Sequence, residues 1–289
     1  MTTFQIRLAS IFILAGAAGC SDPVTDTGEV AQSAGEALAS LDEVTSGGGF
    51  AHLLPMYRAP AHLSPSIWER ATDLFVAPAY GAACSTVTFD ACSSGERLKT
   101  WGGCTIGRAT LTGTVRLQFS RNLCQVITNG DTVTRRPDFT IAGTRGATLT
   151  VSTSGTGGGQ VLTKTATGYS FSVSGLDRAA TRPDGGELFH IQTETTSPLT
   201  ITGTSRANRV INGGTLRITH HIADFMTDLT PSNVTWTAGC NCPTSGMFSG
   251  TLSGSRTGTF TIEFTGCGTA TVTTGSASET VELDRCFAG

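Results

Sequence analysis

From Cys84 onward the chain alternates apolar and polar residues with a period of two. In Thr114-Val115-Arg116-Leu117-Gln118-Phe119-Ser120 the alternation is strict. It recurs in Tyr169-Ser170-Phe171-Ser172-Val173, Leu216-Arg217-Ile218-Thr219 and Phe260-Thr261-Ile262-Glu263-Phe264. Successive side chains of a strand point to opposite faces, so each segment predicts a half-buried strand. Val115, Leu117, Phe119, Phe171, Leu216, Ile218, Phe260, Ile262 and Phe264 belong to the buried face. Arg116, Gln118, Ser172, Arg217 and Glu263 belong to the solvent face. Turn chemistry separates the strands at Asn129-Gly130, Gly157-Gly158-Gly159, Asp184-Gly185-Gly186, Asn212-Gly213-Gly214 and Ser253-Gly254. Such close spacing suits hairpins, because a parallel pair needs a crossover of a dozen or more residues. The expected fold is all-β, an antiparallel meander forming a sandwich or open barrel, with a short N-terminal helical segment.

That helical segment is Ser64 to Phe75. Ser64 caps, Pro65 suits the first turn, and Ile67, Ala71, Leu74 and Phe75 make one apolar stripe. Before it, Ser21 to Gly49 reads as a solvated tether ending in Ser46-Gly47-Gly48-Gly49. Four regions follow: 1–19 a signal peptide, 20–49 an acylated cysteine and flexible tether, 50–83 the short helical segment, and 84–289 a disulfide-stapled β domain. The apolar run near the N-terminus is shorter than the ~20 residues of a bilayer-spanning helix. A membrane-spanning barrel is set aside because the alternation runs over only about five to seven residues, against the ~9–11 such strands need.

The N-terminal run itself has one charge, Arg7, then the mostly apolar Leu8 to Gly16, then Ala17-Ala18-Gly19-Cys20. It resembles the lipobox of bacterial lipoproteins, with Ala17 where the family usually has Leu, Val or Ile. The resemblance implies that Cys20 is diacylated and becomes the mature N-terminus. It also implies a partner, the membrane, reached through the lipid. Ser21 rather than Asp after the cysteine implies outer-membrane sorting. Cysteine parity agrees: of nine cysteines, acylation of Cys20 leaves an even number for pairing. The layout of cysteines and tryptophans (Trp68, Trp101, Trp236) is also similar to uncharacterised bacterial surface lipoproteins, which implies no activity. The tryptophans are expected to be buried.

The remaining cysteines fall into two groups, Cys84, Cys92, Cys104, Cys124 and Cys240, Cys242, Cys267, Cys286. An oxidising compartment makes them disulfide candidates. Loop closure favours pairing within each group. Cys240 and Cys242, if on one strand, share a face, so each should reach out of the pair, to Cys267 and Cys286. A faint echo links Trp101-Gly102-Gly103-Cys104, followed by Leu111-Thr112-Gly113, with Trp236-Thr237-Ala238-Gly239-Cys240, followed by Leu252-Ser253-Gly254. It suggests a duplicated hairpin.

Candidate chemistry is thin. Net charge is −3, and the longest basic run is Arg135-Arg136, which leaves nucleic acid without an electrostatic footprint. The motifs G-x-S-x-G, S-x-x-K, H-E-x-x-H and the phosphate-binding Gly loops do not occur. Cys240-Asn241-Cys242 lacks the spacing of a structural zinc site. His220 and His221 are adjacent, so on a strand they face opposite ways and cannot clamp one ion; His220 falls on the core side with Leu216 and Ile218. His190 and Glu194 share a face, and Glu263 with Asp284 is a carboxylate pair distant in sequence. The frequent Thr-x-Thr pattern, as at Thr259-Phe260-Thr261 and Thr269-Ala270-Thr271, places hydroxyls along the solvent face. No catalytic residue, metal or cofactor is therefore assigned. The expectation is a non-enzymatic, lipid-anchored envelope or surface protein, a structural or binding module for an envelope protein or glycan. The alternatives are an envelope hydrolase acting on glycans or peptides, or an adhesin with a Thr-rich face.

Overall fold

The computed structural model describes residues 87–106, 109–143, 146–153, 158–203, 208–240 and 242–282. Cys20, the tether, the helical segment with Trp68, Cys84, Asp284 and Cys286 lie outside the described residues. Among the described residues, seventeen strands form one antiparallel sheet. They are β1 (Val87–Phe89), β2 (Glu96–Ile106), β3 (Ala109–Phe119), β4 (Thr132–Gly143), β5 (Thr148–Thr153) and β6 (Gly159–Lys164). Next come β7 (Gly168–Ser174), β8 (Leu176–Thr181), β9 (Glu187–Ser197), β10 (Leu199–Thr202), β11 (Val210–Asn212) and β12 (Thr215–His220). The last are β13 (Phe225–Thr235), β14 (Ser245–Gly254), β15 (Gly258–Gly266), β16 (Thr269–Thr274) and β17 (Ala277–Glu282).

Their register reduces to a meander. β4 pairs through residues 138–142 with β5 and through 132–135 with β6, so β5 and β6 are two halves of one interrupted strand. β7 pairs with β6 and β8 with β5, and only Gly175, at φ 55°, separates β7 from β8. β9 with β10, and β11 with β12, continue the series in the same way until both halves meet on β13. Each composite strand therefore lies beside its sequence neighbour, as short connections require.

Sidedness follows the alternation. Val115, Leu117, Phe171, Leu216, Ile218, Phe260, Ile262 and Phe264 are 0–5% exposed and join one contiguous core. Phe119, at the end of β3, is only half-buried, and Ser172 and Arg217 are partly covered rather than fully exposed. Trp101 and Trp236 are buried. Gly250 makes room for this core: a Cβ there would meet the ring of Phe260, its cross-strand partner, at 2.2 Å. The inner face also carries cations. Lys99 lies over Trp101 at 4.6 Å and Arg209 over Trp236 at 5.6 Å, while Arg135 donates to Gln160 Oε1 at 2.5 Å. Stacking on aromatic faces offsets part of their desolvation.

Three expectations change. β2, β3, β9 and β13 have 11 residues and β4 has 12, so strand length does not separate this sheet from a membrane barrel. Orientation differs: most apolar side chains point to the core and most outward ones are polar, with only scattered apolar residues such as Leu98, Val161, Met226 and Met247 outside, unlike a continuous lipid-facing band. Cys240 and Cys242 do not share a strand face, because they lie in the connection between β13 and β14. The tryptophan echo is no duplicated hairpin. Trp101 sits opposite Gly113, whereas Gly254 sits opposite Phe225, far along β13 from Trp236.

Disulfides close one hairpin toward each end of the meander. Cys92–Cys124 joins the connections flanking β2 and β3, and Cys240–Cys267 joins those flanking β14 and β15. Cys104 and Cys242 are also disulfide-bonded. In the loop holding Cys124, Asn129-Gly130 forms the middle of a β-turn, the Asp131 N–H donating to the Thr128 carbonyl at 3.0 Å, within a connection longer than a two-residue hairpin. Asp131 organises the rest of that loop, its carboxylate accepting from the N–H groups of Ile127 and Thr128 and forming an ion pair with Arg121, whose Nε lies 2.6 Å away. The Arg121 guanidinium holds that carboxyl well below the usual range.

Candidate functional site

Among the described residues, one place on the outer face gathers several groups with coordination chemistry. β9 runs between β8 and β12. Asp177 of β8 lies opposite Gln192 of β9, and His190 lies opposite Ala179. His221 follows β12 and donates its backbone N–H to the His190 carbonyl at 2.9 Å, which extends the β9–β12 ladder by one residue. The two imidazoles are thereby set side by side, ring centroids 4.3 Å apart. The small Ala179 leaves the neighbouring position open for Asp177 to reach His190 diagonally, Oδ1 to Nε2 3.7 Å. Gln192 Nε2 donates to the same Asp177 oxygen at 3.2 Å.

A bulge completes the group. The β8–β9 register passes from Ala180↔Phe189 to Thr181↔Glu187, leaving Leu188 as an extra residue. On a regular strand Glu187 and His190 would face opposite sides. The bulge turns Glu187 to the same side, where its Oε1 lies 3.8 Å from His190 Nδ1. The next outward row is an ion pair: Arg217 Nε and Nη2 each donate to Asp228 at 2.8 Å, and Asp228 raises the Arg217 pKa above its ordinary value. Glu194 lies directly opposite Arg217 in this row.

Of the candidates read from sequence, His220 and His221 are parted by the sheet. His221 is exposed, whereas His220 is buried and stacked on Phe225 with centroids 4.2 Å apart. Burial first, then the charges of Arg256 and His221, push the His220 pKa down from 6.5 to about 4. Its Nε2 has no hydrogen-bond partner among the described residues. Below pH 6.5 the unfolded chain binds a proton that the folded chain refuses, so stability contributed here is complete above that pH and falls through to pH 4. The loss is about 3 kcal/mol. Urea unfolding at pH 7.5 and pH 4, with chelator present, is expected to show this drop in the native chain and a smaller one in His220→Leu. An identical pH slope in both would assign the acid sensitivity to other groups.

His190 and Glu194 do share the outer face of β9, but His190 turns to Asp177 and His221. Glu263 is exposed on β15, and Asp284 lies outside the described residues. Cys240-Asn241-Cys242 offers no thiolates, both cysteines being in disulfides. Sequence reasoning missed the Asp177–His190–His221 group because its members come from three strands. The one available signal was the alternation phase, which puts His190 and His221 on the same outward face. Comparison with protein-family models, curated proteins and solved structures finds no match to this chain.

Proposed function

We propose that the chain is an exported envelope or surface protein, tethered by lipid at Cys20, whose β body is a structural or binding module rather than an enzyme. The observation that carries this reading is the state of the cysteines. Cys92, Cys104, Cys124, Cys240, Cys242 and Cys267 are all in disulfides, a commitment that suits an oxidising compartment. The lipobox-like run ending at Cys20 supplies the route there, and Ser21 favours the outer membrane. An acyl anchor with a stapled β body gives placement and durability, the properties of a scaffold or receptor. The partners fitting this role are the membrane, through the lipid, and an envelope protein or glycan.

Intact-mass measurement of the native protein is expected to show acylated Cys20 as the first residue, and Cys20→Ser is expected to release the protein in soluble form. A mature N-terminus at Ala18 without acyl mass would overturn the anchor.

One observation favours a second reading, the adhesin. Thr230, Ser249, Thr261, Thr273 and Ser278 lie side by side across β13 to β17 on the outer face. Strands spaced ~4.8 Å apart turn such a row into a regular line of hydroxyls, a surface suited to carbohydrate. Glycan binding by the purified body that is lost in Thr261→Ala and Thr273→Ala favours the adhesin; glycan binding unchanged in those variants, or absent, counts against it.

A further inference from the structure

We propose that Asp177, His190 and His221 form a binding site for one borderline divalent transition ion, with Zn²⁺ as the reference case. This goes beyond the anchoring role, since it depends on the outer face of β8, β9 and β12 and not on export or lipid.

Geometry carries the assignment. One donor atom from each of the three residues lies within 4.8 Å of the other two. A tetrahedral ion with bonds of ~2.0–2.1 Å holds its ligand atoms roughly 3.4 Å apart. The Asp177–His190 separation of 3.7 Å is close to that. His221 is exposed, so turning its ring supplies the remaining closure without disturbing the core. The backbone bond from His221 to the His190 carbonyl fixes the two imidazoles in neighbouring positions.

The surrounding groups are those a metal site uses to aim its ligands. Glu187 faces His190 Nδ1. A carboxylate there favours the tautomer with its proton on Nδ1, leaving the Nε2 lone pair toward Asp177 and the ion. Gln192 holds the Asp177 carboxylate. The bulge at Leu188 is what brings Glu187 to this side. Two imidazoles and one carboxylate select zinc-like ions over Mg²⁺ or Ca²⁺, which take oxygen ligands. Water on the exposed side completes the coordination. The ion would tie three strands at the edge where β9 turns back from β8.

The test uses the purified, metal-stripped chain titrated with Zn²⁺ by calorimetry, and with Co²⁺ by visible absorption. One equivalent is expected to bind, with a Co²⁺ spectrum of nitrogen and oxygen ligation. His221→Ala is expected to weaken binding by roughly 100-fold and Glu187→Gln by about 10-fold, in the range for losing an aiming partner. Because His221 is exposed, its variant should keep the wild-type circular dichroism and unfolding midpoint in chelator. His190→Ala provides a second reading on an internal strand position. The proposal is overturned if the native chain takes up no stoichiometric Zn²⁺, or if His221→Ala and His190→Ala bind it as the native chain does.

Discussion

Phe264→Ala is expected to lower the folding stability by about 3–5 kcal/mol, the range for removing a buried aromatic ring. Phe264 is 3% exposed on β15 and packs edge-on against Phe248, with centroids 5.8 Å apart. Both rings sit on the inward face, beside Phe260 crossing the gap at Gly250, and a rigid pleated backbone gives little room for collapse. The same truncation at Phe119 is expected to cost less, about 1–2 kcal/mol, because that ring is already partly in water. Glu263→Ala, adjacent to Phe264 but outward, should stay within about 0.5 kcal/mol. Urea unfolding of the three variants with comparable m-values tests the series. Equal losses at Phe264 and Glu263 would mean that the two faces of β15 are not distinguished as the alternation requires.

That alternation made the strands and their buried faces legible. Within a strand, burial depends on a period of two, and the polar residues between Phe260, Ile262 and Phe264 leave no ambiguity. Burial at strand ends was less legible: Phe119 continues the pattern but reaches the rim. Breaks that preserve direction were not legible either. Gly175 lets β7 pass into β8 with a change of phase, since Phe171, Val173 and then Leu176 all turn inward. A strict period from Val173 would place Leu176 outside. The inward cations, Lys99, Arg135 and Arg209, were hidden because their hydrophobicity says nothing of an aromatic face or a Gln160 waiting across the sheet. The His190 cluster needed cross-strand register, and its Glu187 needed a bulge, neither of which has a local signature. The adjacent pair His220-His221 drew attention first, yet the productive partner of His221 lies across the ladder on β9.

Removing Cys240–Cys267 by alanine at both positions is expected to cost about 3–4 kcal/mol, and removing Cys92–Cys124 about the same. Both bridges act chiefly by constraining the unfolded chain. The bridges close loops of 27 and 32 residues, and the entropy of closing a loop changes only with the logarithm of its length. In the folded state the two differ: Cys240 is buried while Cys92 and Cys267 are exposed. Each bridge nevertheless does the same thing in the topology, closing the open end of one hairpin, β2–β3 or β14–β15. Those hairpins lie toward the two ends of the meander, with each of their strands paired on both sides. Guanidinium unfolding of both alanine pairs without reductant checks the expectation. Matched losses would assign the stabilisation to the constrained unfolded state. A loss several kcal/mol larger at Cys240–Cys267 would instead place it in the packing of the buried sulfur, and an unchanged midpoint in both variants would remove the disulfides from the account of how this sheet stays folded.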